Sequence, residues 1–155
     1  MVAAHPRILG SLGRALSLEL SAVQQYMTHA NLAQAWGEEQ AAERFRHEAV
    51  EEMQHSERII QRMIQLGVAP SASQLRPVTH GPDLVGLLRQ NAVLETDLIQ
   101  HYAEAVRFCL LAGDAENEAF FRSLLQEEQQ HGEALASWLS SLDRPIPQQL
   151  QRAVF

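Results

Sequence analysis

Proline and glycine fall in few places along this chain, and the stretches between them are long. Pro6 can open a helix, because the first turn has no use for its missing N–H. Gly37 is the next break, and the segment LGVAPSASQLRPVTHGPD, residues 66–83, carries three prolines and two glycines. Gly113-Asp114 and the DRPIPQQ segment from residue 143 complete the punctuation. The segments between, about 7–36, 38–66, 83–112 and 114–142, repeat apolar residues at helical spacing. None shows the alternation or β-branched clustering of a strand. The chain therefore reads as one all-α domain over residues 1–155, with a four-helix bundle at about 7–142 and a tail at 143–155. A connection of one or two residues makes helices 1 and 2 antiparallel neighbours, and helices 3 and 4 likewise. The connection of about 16 residues between helices 2 and 3 can run the length of the bundle and leave those two parallel. Its composition also suits a disordered linker between two hairpins.

Each apolar stripe is interrupted by an acid. Helix 1 carries Leu12, Leu16, Glu19, Val23 and Tyr26; helix 2 carries Phe45, Ala49, Glu52, His55, Ile59, Met63 and Leu66. Helix 3 carries Leu84, Leu88, Asn91, Glu95, Leu98 and Tyr102; helix 4 carries Phe121, Leu125, Glu128, His131, Leu135 and Leu142. The two histidines follow their glutamates by three positions and share their faces. All four glutamates lie near a helix midpoint, roughly 18–21 Å along at 1.5 Å per residue, so they should meet at one level whatever the helix directions.

Four carboxylates gathered in an apolar core repel one another and lose their hydration. The chain has no lysine, and no arginine lies on these stripes at that level. Two divalent cations would balance four ionised glutamates, with two neutral histidines completing the ligand sets. A proton-sharing carboxylate network and glutamates simply exposed to solvent are the other readings. Oxygen and imidazole donors without thiolate suit iron or manganese, and zinc could also bind. Six protein ligands spread over two metals leave coordination positions open.

The bulk numbers narrow the partners. Hydrophobic residues make up 46% of the chain and the formal net charge is −7, which suits attraction of cations and argues against a nucleic-acid partner. The single cysteine, Cys109, has no second cysteine in the chain to pair with, and a reducing, cytoplasmic setting fits. No run of about 18 apolar residues offers a membrane span. Two arginines near the N-terminus resemble a transit peptide, but the apolar pattern continues unbroken past residue 30, as in the start of a mature helix.

The segments LELSAVQQYMTHA around Glu19, FRHEAVEEMQHSERI around Glu52, LETDLIQHY after Leu94 and LLQEEQQH around Glu128 resemble the ferritin-like di-iron proteins. In that class, two helices give one glutamate each and two give Glu-x-x-His. Within it the chain is most similar to the bacterioferritins, over about residues 8–142. The resemblance implies a ferritin-like bundle with a short fifth, C-terminal helix. It implies an iron-storage protein with ferroxidase activity, which oxidises Fe²⁺ with dioxygen or peroxide and deposits ferric mineral in a hollow shell. Glu52 and Glu128 would bridge two irons, with Glu19 and His55 on one and Glu95 and His131 on the other. Met53, rotated about 100° off the metal stripe, would face a neighbouring subunit and bind a b-type haem shared between two subunits; read from the residues alone, it is a packing methionine at an interface. His47 and Glu51, four apart, correspond to a pair that binds iron on the inner surface, and they could equally form a solvated ion pair. Tyr26 could donate electrons near the metals or simply pack.

The same resemblance implies a homo-oligomer of about 24 subunits built from dimers, with a ferredoxin-like reductant for iron release. Two features depart from the family pattern: the tail is short and holds two prolines, and QQHGEAL lacks an aromatic residue soon after the histidine, Trp138 lying further on. The rival readings are a haem-bearing or structural shell subunit that co-assembles with a ferroxidase, a di-iron peroxidase or oxygenase, and a plain four-helix interaction module.

Overall fold

A computed structural model describes residues 3–142. It contains four helices, α1 (Pro6–Ala35), α2 (Glu39–Gln65), α3 (Leu84–Ala112) and α4 (Ala115–Leu142), and no strand among the described residues. Local chemistry sets their ends. The His5 side chain accepts a hydrogen bond from the Arg7 N–H at 3.1 Å, capping a helix that Pro6 begins. Asp83 does the same for α3, accepting from Gly86 N–H at 2.8 Å. Gly113, at φ 69°, closes α3 in the left-handed conformation that a side chain would oppose. Asp114 then accepts from the Asn117 N–H at 3.1 Å and starts α4.

Side-chain pairs fix the topology. Gln25 bonds Asn91, Tyr26 bonds Glu95 and Tyr102 bonds Glu19, so α1 and α3 run antiparallel. Arg62 bonds Asn117, Arg58 bonds Ser123 and His55 meets Glu128, so α2 and α4 also run antiparallel. With α1–α2 and α3–α4 as hairpins, α2 and α3 are parallel, as a long crossover requires.

The crossover is ordered by α1. Ser17 Oγ accepts from Gln74 N–H at 3.1 Å and Ser21 Oγ from Arg76 N–H at 2.9 Å. Gln25 Oε1 accepts from both the N–H and the hydroxyl of Thr79, and His29 Nε2 meets the Thr79 carbonyl at 2.6 Å. These four α1 residues are spaced by four, one above the other on a single face. They satisfy backbone groups that an irregular segment would otherwise leave to water. The disordered-linker alternative is therefore set aside. Where the crossover meets α3, Gly81 and Gly86 approach so closely that a Cβ on Gly81 would lie 2.8 Å from the Gly86 Cα.

The core holds Leu12, Phe45, Ile59, Leu88, Leu98, Tyr102, Phe121 and Leu124, all fully buried. Leu142, expected on the α4 stripe, is 42% exposed, so the buried part of that stripe ends at Leu135. The expected C-terminal helix falls in 143–155, outside the described residues.

Candidate metal centre

Glu19, Glu52 and Glu128 have no solvent exposure and Glu95 has 1%. One ligand atom from each of Glu19, Glu52, His55 and Glu128 lies within 4.8 Å of the others, and so do atoms from Glu52, Glu95, Glu128 and His131. Glu52 and Glu128 belong to both groups. The six residues thus form two overlapping sets of four, midway along the bundle. His55 Nδ1 lies 2.8 Å from Glu128 Oε1, 3.0 Å from Glu52 Oε2 and 3.5 Å from Glu19 Oε1. His131 Nδ1 lies 3.1 Å from Glu52 Oε1 and 3.5 Å from Glu128 Oε2. The two imidazoles stack with centroids 5.7 Å apart.

Around this cluster stands a second layer. The Tyr102 hydroxyl donates to Glu19 Oε1 and the Tyr26 hydroxyl to Glu95 Oε1, each at 2.5 Å. His131 Nε2 meets Glu51 Oε2 at 2.6 Å, while His55 Nε2 lies 3.8 Å from Glu127 Oε2. Arg58 donates to that Glu127 oxygen at 2.5 Å and to Ser123. Glu51 also reaches outward to His47 Nε2 at 3.1 Å, and Glu48 joins Glu51 beside His131. A carboxylate behind a ligating imidazole orients the ring and raises its basicity.

The electrostatics follow from crowding. Burial, and then the charge of Glu19, pushes the carboxyls of Glu52 and Glu128 up to about 7. Burial and the Glu128 charge hold Glu95 well above the carboxylate range. Burial acts the same way on Glu19, but hydrogen bonds from His55, Glu52 and Tyr102 and the His55 charge outweigh it and leave this carboxyl lowered. Burial alone would lower both histidines; the surrounding carboxylates overcome it and raise His55 and His131 to about 12. The protein's own groups thus hold protons that a divalent metal must displace.

Protons do not use the whole cluster. Buried Glu19 Oε2, Glu95 Oε2 and Glu128 Oε2 have no hydrogen-bond partner. Buried acceptors left without a donor are costly, and here one sits on each terminal carboxylate and one on a shared carboxylate. Together with hard oxygen and imidazole donors, they fit a pair of divalent metals of the iron or manganese type.

Of the other residues singled out in the sequence, Tyr26 belongs to the cluster as a hydrogen-bond donor, beyond any packing role. His47 and Glu51 form a pair that continues into His131, so Glu51 is not merely a solvated partner. Met53 is 51% exposed and stands apart from the cluster, its side chain on the outer side of α2. Trp138 packs on Phe45 at 5.4 Å, and Phe45 in turn packs on Tyr26 at 6.2 Å. The sequence reading missed the contact of Tyr102 with Glu19, and it missed Glu127, Arg58 and Glu48. A signal for the first was present. Glu19 and Glu95, Glu52 and Glu128, His55 and His131, and Tyr26 and Tyr102 stand 76 positions apart in every case.

Comparisons with known proteins agree with this geometry. A family model described as a ferritin-like domain matches residues 10–144. The chain is 33% identical to a bacterioferritin of Rhodobacter capsulatus over 92% of its own length and 88% of that protein's. It is 32% identical to a bacterioferritin of Brucella melitensis biotype 1 over 89% and 86% of the respective chains. Among solved structures, that of the R. capsulatus bacterioferritin superposes with a TM-score of 0.89 at 32% identity, covering 95% of this chain and 92% of the other. That structure is described as having a metal-free dinuclear site and a haem iron in a crystallographic special position.

Proposed function

The chain belongs to the ferritin-like family, on its bacterioferritin branch, and from that premise we propose how it works as an iron-storage ferroxidase. The observation that carries the reading is the convergence of four buried carboxylates and two histidines into two overlapping ligand sets. Glu52 and Glu128, shared between the sets, would bridge the two metals. Glu19 with His55 would hold one Fe²⁺ and Glu95 with His131 the other. When iron is bound, the two Fe²⁺ would supply two electrons to dioxygen or peroxide, and the ferric pair would then pass to, or exchange electrons with, the stored mineral.

The protein's own part is electrostatic and positional. The buried glutamates supply the negative charge that favours the ferric state, and the helices hold the two ligand sets side by side. The histidines give up their protons as metal enters, so loading is coupled to proton release. Glu51 behind His131 keeps that imidazole aimed at the centre, while Glu127, held by Arg58, adds a negative charge 3.8 Å behind His55. His47, with Glu51, would take iron on the inner surface and pass it toward His131.

Likeness to the relatives supports further features. Met53, with its sulfur-bearing side chain exposed on α2, would ligate a b-type haem between two subunits. The outer face of α1 and the crossover forms an open groove of about 860 Å³ lined by Leu20, Val23, Met27, Leu32 and Leu75, which suits apposition of a second copy. The protein is a homo-oligomer; we assign it a shell of about 24 subunits, a cytoplasmic location and a ferredoxin-like reductant for iron release. No described helix is long and apolar enough to cross a membrane. A shell subunit that relied on a ferroxidase partner would have no need of all six ligands.

Anaerobic titration of the full chain with Fe²⁺ tests this function. Saturation at two ions per chain, followed by rapid ferric absorbance on admitting oxygen, is the expected result. Absence of stoichiometric binding would leave a four-helix interaction module in its place.

A further inference from the structure

The repeat at 76 positions extends beyond the ligands. Phe45 and Phe121 share it, and each backs one tyrosine: Phe45 lies 6.2 Å from Tyr26 and Phe121 lies 6.4 Å from Tyr102. The α1–α2 hairpin and the α3–α4 hairpin therefore supply equivalent half-centres, each with two carboxylates, an imidazole, a phenol and a ring that seats the phenol. The phenols reach across: Tyr26 of α1 bonds Glu95 of α3, and Tyr102 of α3 bonds Glu19 of α1.

We propose that Tyr26 and Tyr102 are a matched pair of positioning residues, each fixing which carboxylate oxygen one half of the dinuclear centre offers its metal. Tyr102 then governs the metal held by Glu19 and His55, and Tyr26 the metal held by Glu95 and His131. The inference rests on the dinuclear reading above and assigns to Tyr102 a role in the site.

The geometry allows little else. Both tyrosines are buried, at 2% and 0% exposure, so neither hydroxyl can turn to solvent. A phenol has one proton to donate, and in each case it goes to Oε1 of a terminal glutamate. The other oxygen of that same glutamate, Oε2 of Glu19 and of Glu95, is buried and has no partner. Each terminal carboxylate thus has one oxygen held by a phenol, which at Glu19 also faces His55 Nδ1 at 3.5 Å, and one oxygen without a partner, left for a cation. Without the phenol, the carboxylate could rotate about its last bond and offer either oxygen or both, which loosens one metal and leaves the other alone. Glu52 and Glu128 meet imidazoles instead and receive no such phenol.

The test uses the full-length chain and Co²⁺, whose visible absorption reports its ligand geometry. In a Glu95→Ala, His131→Ala background only the Glu19–His55 half remains. There Tyr102→Phe should weaken Co²⁺ binding about tenfold and shift the visible bands, because outer partners of metal ligands are typically worth about 10- to 100-fold, while Tyr26→Phe should leave both unchanged. In a Glu19→Ala, His55→Ala background the two outcomes exchange. Each phenylalanine variant is its own folding control, since a general loss of structure would strike both halves. If a half-centre binds too weakly to titrate, the same substitutions in the intact chain should each move one of two binding steps. Equal weakening of both steps by either variant, or no change in either, overturns the assignment. Failure of the unsubstituted chain to take up two Co²⁺ overturns the dinuclear reading itself and the tyrosine assignment with it.

Discussion

A carboxylate on the dry side of a helix must find a partner, and Glu95 shows how little the protein itself supplies. One of its oxygens holds the Tyr26 phenol, the other has nothing, and Glu128 repels it. Its removal relieves the unmet acceptor and the repulsion with Glu128 but strips the buried Tyr26 hydroxyl of its acceptor, at about 1–3 kcal/mol, so the two effects largely offset and the fold is kept. Glu95→Ala should bring rapid Fe²⁺ oxidation down to the uncatalysed rate while the helical circular dichroism is kept and the melting temperature moves by only a few degrees. Stopped-flow ferric absorbance beside a thermal melt checks both halves; normal rapid oxidation in the variant would remove the dinuclear assignment. The six ligand candidates could be read from the sequence because charge on an apolar stripe is anomalous and equal depth makes four anomalies coincide. Tyr102 could not be read the same way. A tyrosine on such a stripe looks like core, since its ring satisfies the hydrophobic pattern and its hydroxyl leaves no trace in it. Glu127 was hidden differently: it sits beside a ligand in an acidic run, where nothing in the spacing separates it from surface charge.

At the scale of elements, the hairpins and the parallel α2–α3 pair follow from connection lengths alone. The crossover's own path does not, because an irregular segment has no periodicity to read. Its anchor was nevertheless written in α1, where Ser17, Ser21, Gln25 and His29 recur every fourth residue beside the apolar stripe. His29 makes that anchor sensitive to acid. Its Nε2 holds the Thr79 carbonyl, and burial lowers its pKa below the ordinary 6.5. The unfolded chain therefore binds this proton more readily than the folded one. The stability His29 contributes is complete above about 6.5 and declines as pH falls from there through the lower folded value. His29→Gln, which cannot titrate, should flatten the fall in melting temperature between pH 7 and 5; an unaltered slope would show that His29 is not the titrating group. A second prediction concerns the crossover's end. Gly81→Ala puts a Cβ 2.8 Å from the Gly86 Cα, and backbone cannot yield as a flexible side chain can. The variant should lose about 1–3 kcal/mol in chemical denaturation, the usual cost of overpacking.

At the scale of the molecule, the exposed apolar residues and the function need each other. Met27, Val50, Met53 and Leu75, on α1, α2 and the crossover, are each about half exposed, and Val93, Leu110 and Leu111 of α3 are more exposed still. A monomer has no use for such a surface, and mineral storage has no use for a monomer, because a dinuclear site turns over two ions and needs an enclosed volume to keep them. Copies packed through α1, α2 and the crossover would bury Met27, Val50 and Leu75 and bring Met53 of each to its neighbour, where a haem between two sulfurs would seal the contact. The size and the spectrum of the purified protein should then change independently. Light scattering should show a particle many times the 17.4 kDa chain mass, with a haem Soret band. Met53→Leu, nearly the same volume but without the sulfur ligand, should lose that band while the particle size and the rate of Fe²⁺ oxidation stay as they were. A Soret band that survives the substitution would place the haem ligand elsewhere. A chain that runs as a monomer would contradict storage in a shell while leaving the dinuclear chemistry, which lies wholly within one chain, intact.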